Sequence, residues 1–434
     1  MTVCRYGTVR PMGAMYASAT RLYSSWPLFL GMGLLMLGAG LQGTLIGVRA
    51  TLAGFPTLVI GLVMSCYYVG YMAGSICAPQ LVQRVGHIRV FAALTSLASV
   101  TILLQGAFVT PGVWGALRLA SGFCFAGIYV VAESWLNDRA ENHNRGSLMA
   151  LYMAVLYVGL GSGQFLLNAA DPAGPLLFMT IAVLISLAVV PMTLSVQRAP
   201  EFDVPRKTGF GELFRASPLG VVGVVVSGVV TGSLFSMGSV YAQLRGLSST
   251  DTATFMGVSI FAAVLTQLPV GRLSDRIDRR AVLIAVCMLA AVIAAAAAVF
   301  SALSRMTLFV LAAGFGGIVL TLYSLSLSHI NDHLDSQQMV SSSGSVILLN
   351  GMGATLGPLL ISSSMNIFGP SAYFGSLAIL VAALGLYAIW RKGRRAAVLP
   401  EHKIRFVSAQ PQAVSGQLMA GIAQRTSFAR EDTH

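Results

Sequence analysis

"GFCFAGIYVVAESWLND", Gly122–Asp138, returns later in the chain as "GGIVLTLYSLSLSHIND", Gly316–Asp332. Gly122 falls on Gly316, Tyr129 on Tyr323, Ser134 on Ser328, Asn137 on Asn331 and Asp138 on Asp332, at a constant offset of 194 residues without a gap. The same offset carries Gly159 onto Gly353 and Gly163 onto Gly357. A basic stretch recurs at nearly the same spacing, because Gln83-Arg84-Val85 and Asp275-Arg276-Ile277 lie 192 residues apart and both follow a long apolar run. One half of the chain is therefore about one repeat. Duplicated helical halves in a membrane, with a site between them, are how many secondary transporters are built, and the repeat sets that expectation.

Composition agrees. A chain of 434 residues with only 10% charged side chains and a mean hydropathy of +0.77 does not describe a soluble surface. Apolar stretches of about 20 residues, the length a helix needs to cross about 30 Å of hydrocarbon, recur about twelve times. The expected architecture is an all-α membrane protein of twelve transmembrane helices in two pseudo-symmetric six-helix halves. Its parts are a tail over 1–25, a first half over 26–195, a linker over 196–216, a second half over 217–391 and a second tail over 392–434. The linker, "VQRAPEFDVPRKTGFGELFRA", spaces Phe210, Leu213 and Phe214 as a short interfacial helix would.

The formal charge of +12 could point to nucleic acid, but its distribution says otherwise. With the N-terminus inside, alternate connections and both tails hold 23 of the 27 Lys and Arg residues. Arg49, Arg245 and Arg305 are left for the other side, and Arg118 lies within a span. Charge is thus a topology signal, placing both termini in the cytoplasm of an inner-membrane protein with no nucleic-acid partner. Cys66, Cys77, Cys124 and Cys287 fall in spans and Cys4 in the tail, which is no disulfide framework. The sequence carries no phosphate-binding glycine loop, nucleophile elbow or metal-ligand cluster. No cofactor, metal or enzymatic chemistry is expected.

"GRLSDRIDRR", Gly271–Arg280, sits at a helix end, where Gly271 permits close helix approach and Asp275 can pair with Arg276 or Arg279. This stretch resembles motif A of the major facilitator superfamily, departing at Asp278, where glycine is usual, so that the turn is tighter or differently capped. The first-half copy, "PQLVQRVGHIR", is degenerate, with Pro79 for the leading glycine and Gln83 for the aspartate, but it keeps Arg84, Gly86 and Arg89. "RLASGFCFAG", Arg118–Gly127, resembles motif B. "ESW" at Glu133–Trp135 and "RGSLMALYM" at Arg145–Met153, taken with the later "QLPVGRLSDRIDRR", resemble the YcaD-like branch of the superfamily over nearly the whole chain.

Arg118 is a permanent charge inside a span. It marks a functional site facing a cavity, or it snorkels to the surface. Glu133 is the one carboxylate placed within a span. It is a candidate proton carrier, or it forms a salt bridge with Arg84 or Arg145. Gly159 and Gly163 form a close-packing face. The resemblance implies a central cavity to which Gln42, Tyr129, Gln243 and Tyr323 contribute beside Arg118, and gating by Arg84, Glu133, Gly271, Asp275, Arg276 and Arg279. It also implies alternating-access transport of a small-molecule substrate, coupled to protons, by a monomer in the bilayer; Arg118, if it faces the cavity, makes that substrate an organic anion or zwitterion. The rival readings are a ligand-binding membrane sensor, for which the chain offers no output domain, and a membrane enzyme, for which it offers no catalytic constellation.

Overall fold

The computed structural model of the chain describes residues 12–139, 145–194, 209–301, 304–394 and 406. Most of the expected linker and nearly all of the second tail lie outside the described residues. Twelve helices are long and apolar enough to cross a membrane, and the described residues contain no strand. In a solvent without hydrogen-bonding partners, only a helix satisfies its own backbone over such lengths.

The spans fall close to the expected ones: the fourth is Pro111–Asn137 and the twelfth Ala372–Lys392. Departures from a plain succession of rods include a break at Ala188 in the sixth span and two larger features. The first helix begins at Met12 and runs 41 residues to Leu52, so residues 12–25, expected as tail, are helical. The tenth span is broken into Arg305–Val319 and Leu322–Asn331. The break follows Gly316-Gly317 and a β-branched pair, Ile318-Val319, both poor helix formers. Neighbouring side chains take up the freed carbonyls. Gln267 Nε2 donates to Leu320 O at 3.3 Å, and the Thr266 hydroxyl donates to Gly317 O.

Repeat-related glycines make repeat-related crossings. A Cβ on Gly122 would stand 1.9 Å from the carbonyl oxygen of Tyr67, and one on Gly316 would stand 2.5 Å from that of Ser259, which is 192 residues after Tyr67. Gly163 and Gly357 repeat the relation against Leu37 O and Val229 O, at 2.2 and 2.3 Å. Only a residue without a Cβ lets these backbones meet.

The halves close most tightly on the side away from the linker. There Gly47 of the first span meets Ser239 of the seventh, and Gly61 of the second meets Pro358 and Ser362 of the eleventh. On the linker side the fourth and tenth spans make no more than marginal contact among the described residues. The linker helix, Phe210–Ala216, buries Leu213 and exposes Phe210 and Phe214, the disposition of an interfacial helix.

Candidate functional site

A cavity lies between the halves. The first half lines it with Gln42, Thr44, Tyr67, Tyr68, Arg118 and Gln164, and the second with Phe235, Ser236 and Met256. Arg118 does not snorkel. It is 5% exposed, its guanidinium carbon sits 4.4 Å from the centroid of the Tyr67 ring, and Nη2 lies 3.9 Å from Met64 Sδ. Among the described residues no carboxylate lies within salt-bridge distance of it. Its Nε and the side-chain nitrogen of Gln42 have no hydrogen-bond acceptor among those residues.

Several other polar wall groups are already engaged. Thr44 donates to Gln164 Oε1, Gln164 Nε2 donates to Leu160 O at 3.1 Å, and the Tyr129 hydroxyl donates to Met36 Sδ at 3.3 Å. What the cavity offers a visitor is therefore a cation and unsatisfied N–H donors beside aromatic faces. Burying a guanidinium without a counter-ion is unfavourable, and an incoming anion relieves that penalty.

Glu133 forms a second centre on the same helix, about 22 Å from Arg118 along the axis at 1.5 Å per residue. It is wholly buried, at 0% exposure. Tyr71, Tyr129 and Tyr152 of its own half and Tyr323 of the other half lie within its electrostatic reach. Arg84, an expected partner, is exposed at the end of the second span and forms no salt bridge with Glu133, while the Arg145 side chain lies outside the described residues.

The motif at the eighth and ninth spans builds a third centre, all of it within the second half and the tail. Arg279 is the hub. It is 2% exposed, Nη1 donates to Asp332 Oδ1 at 2.7 Å and to Ser328 O at 2.9 Å, and Nη2 donates to Asp275 Oδ1 at 3.1 Å. Arg276, the alternative partner of Asp275, is exposed. Phe406 lays its ring on Gly271 and donates its N–H to Asp275 Oδ1 at 2.8 Å. Asp278 caps the ninth span by accepting from Arg280 N, and it also pairs with Arg280 Nη2 at 2.9 Å. Burial pushes the Asp278 carboxyl up, but the hydrogen bonds from Arg280 outweigh this and hold it below the ordinary carboxylate range.

Gln243 stands apart from these centres. It lies one residue from the end of the seventh helix and ties that end down by donating to Leu247 O and Thr252 Oγ1. Sequence reasoning missed Tyr67, Tyr68 and Tyr71, although "YYVGY" at Tyr67–Tyr71, with rings at i, i+1 and i+4, was a usable signal.

A bundle of twelve spans in two repeat-related halves, with a polar cavity between them, is the architecture of a secondary transporter. The family model described as the Major Facilitator Superfamily matches residues 28–349 and 256–421, and the chain belongs to that superfamily. It is accordingly a multi-pass membrane transporter and not an enzyme. It is 29% identical over 356 residues to the uncharacterized MFS-type transporter YcaD of Salmonella arizonae, covering 81% of this chain and 91% of that protein. The fold is similar to that of the nucleoside transporter NupG, with TM-score 0.69, 12% identity and coverage of 85% of this chain and 98% of the other. It is also similar to a bacterial homologue of the human lysosomal transporter Spinster, inward-facing and unoccupied, with TM-score 0.64, 14% identity and coverage of 93% and 97%.

Proposed function

We propose that the chain moves a small organic anion or zwitterion across the cytoplasmic membrane by alternating access, coupled to protons, with both termini in the cytoplasm. The observation that carries the reading is Arg118, a buried guanidinium in the cavity between the halves with no carboxylate partner among the described residues. A binding anion completes the site instead of competing with a resident one. The distance of about 22 Å to Glu133 divides the labour. Arg118 holds substrate, while Glu133, among tyrosines of both halves, takes a proton and senses whether the linker-side gate is closed. The linker side is the cytoplasmic one, on the 23-to-3 division of basic residues. Closure on the far side then makes this conformation cytoplasm-facing.

The test is flux into proteoliposomes of a panel of radiolabelled carboxylates and amino acids, with Arg118→Ala and Arg118→Lys beside the native protein. Arg118→Ala should weaken binding about 100-fold, since it removes one partner of a buried charge contact. Arg118→Lys should retain a part, a point charge replacing some of the fork's role. Unchanged flux in Arg118→Ala removes the basis for an anion. An active alkaline phosphatase fused at the C-terminus would overturn the topology.

A further inference from the structure

A second, smaller cavity adjoins the first and shares Tyr68, Leu160 and Phe235 with it as common walls. Its own walls include Tyr71, Tyr157, Leu320, Ile347 and Ala354. The polar side chains that reach it are already engaged. Asn350 Nδ2 donates to Val224 O and Ser227 Oγ, Thr231 donates to Ser227 O, and Tyr157 accepts from Gln267 Nε2. The two chambers thus differ in kind. One presents a cation and orphaned donors, and the other presents mainly hydrocarbon and rings, with its side-chain N–H donors already satisfied. Water gains little from a chamber of the second sort, whereas an apolar group gains by filling it.

We infer that the substrate is amphipathic: an organic acid whose carboxylate sits on Arg118 and Gln42 and whose aryl or medium-chain alkyl body passes between Tyr68, Leu160 and Phe235 into the second chamber. This rests on the anion reading above and adds the apolar half of the molecule. A sugar acid or a short hydroxy acid would leave the second chamber unfilled. A neutral hydrocarbon would leave Arg118 without its counter-ion.

The experiment is equilibrium binding to the full chain in nanodiscs, corrected against empty nanodiscs, with butyrate, hexanoate, octanoate, 3-phenylpropionate and octanamide. Affinity should rise about fourfold for each added methylene, which is the gain for burying one, and octanamide should bind far more weakly than octanoate. Ile347→Phe and Leu320→Phe fill the second chamber from two different spans. In whichever variant elutes as a monodisperse peak, the gain with chain length should disappear while butyrate binds as before. Arg118→Ala should lose every acid alike. If acids bind in an Arg118-dependent way with no gain along the series, the amphipathic inference is wrong and the anion reading stands. If binding rises with chain length but ignores both Arg118→Ala and the change from acid to amide, the anion reading fails and the inference falls with it.

Discussion

The fourth and tenth spans occupy equivalent places in the two halves, yet only the fourth carries an arginine and a carboxylate within the span. At the shared offset of 194 residues, Gly122, Tyr129, Ser134, Asn137 and Asp138 recur as Gly316, Tyr323, Ser328, Asn331 and Asp332. Arg118 and Glu133 do not recur. Their counterparts are Ala312 and Leu327, both buried. The backbone diverges as well, since the fourth helix runs unbroken from Pro111 to Arg139 while the tenth breaks at Leu320-Thr321. Both copies keep what makes helices cross and end. The candidate chemistry is loaded onto one copy, and the other copy contributes apolar wall and a hinge-like break.

The comparison is broken most severely by adding bulk at the crossings. Gly122→Leu and Gly316→Leu should each abolish a monodisperse folded protein, because both Cβ positions fall on a carbonyl oxygen of a neighbouring helix, at 1.9 and 2.5 Å. Size-exclusion elution in detergent reads the outcome. If either half tolerated leucine, the two crossings would not be equivalent.

Much of this was legible in the sequence. The apolar runs and the repeat are long-range regularities, so they gave the twelve spans and the division into halves. Arg118 was legible because a lone charge in a span has few explanations. The tyrosines around it were legible only in part, since the YYVGY spacing marks Tyr67 and Tyr71 as sharing a helix face but nothing local says that this face meets the cavity. Gln243 shows the opposite failure. Resemblance selected the helix, but only the structure gives the depth, and Gln243 sits at the helix end as a tie. The Arg279–Asp332 pair was equally hidden, because its members lie on separate helices 53 residues apart.

The next prediction compares the joints between consecutive spans. Arg279 corresponds, 192 residues earlier, to His87, and Ser328 corresponds to Ser134. Where Arg279 binds Asp332, Ser328 and Asp275, His87 Nε2 shares a 2.8 Å hydrogen bond with Ser134 Oγ and stacks on Trp135. Arg279→Ala removes the Arg279 guanidinium from the Asp332 carboxylate, 2% exposed, and should destabilise by about 3–5 kcal/mol. His87→Ala should cost about 1–2 kcal/mol, the scale of a buried hydrogen bond. Chemical or thermal unfolding of the two variants checks the ranking. Equal losses would mean that the first joint holds more than the His87–Ser134 bond.

Moving the charge to the other copy is a smaller perturbation than Arg279→Ala. Ala312→Arg puts a guanidinium at a buried site that lines neither cavity, and it should cost about 3 kcal/mol of stability, the insertion penalty for a charge at mid-helix. Arg118→Ala should leave stability unchanged or raised. The pair of melting temperatures separates a site that the fold prepared for a charge from one that it did not.

The smallest effect concerns the turns, where the two copies solve one problem differently. Gly86 begins the third helix at φ +94°, a conformation that L side chains rarely adopt, whereas its counterpart Asp278 begins the ninth at φ −57° and caps it with its carboxylate. Glycine in one copy and a cap in the other both end a span and turn the chain. Exchanging them should therefore be unequal. Gly86→Asp meets backbone strain and should cost about 1–3 kcal/mol, while Asp278→Gly loses the cap and should cost about 0.5–1 kcal/mol. The second loss should depend on pH with a definite sign. Because the folded state holds the Asp278 carboxyl below its ordinary range, its contribution is complete above the unfolded carboxylate pKa and is lost as pH falls through the depressed folded value. The stability gap between the native protein and Asp278→Gly should be constant near neutrality and close in acid. A gap that stayed open there would mean that Asp278 stabilises the turn through its backbone geometry, as Gly86 does, and not through its charge.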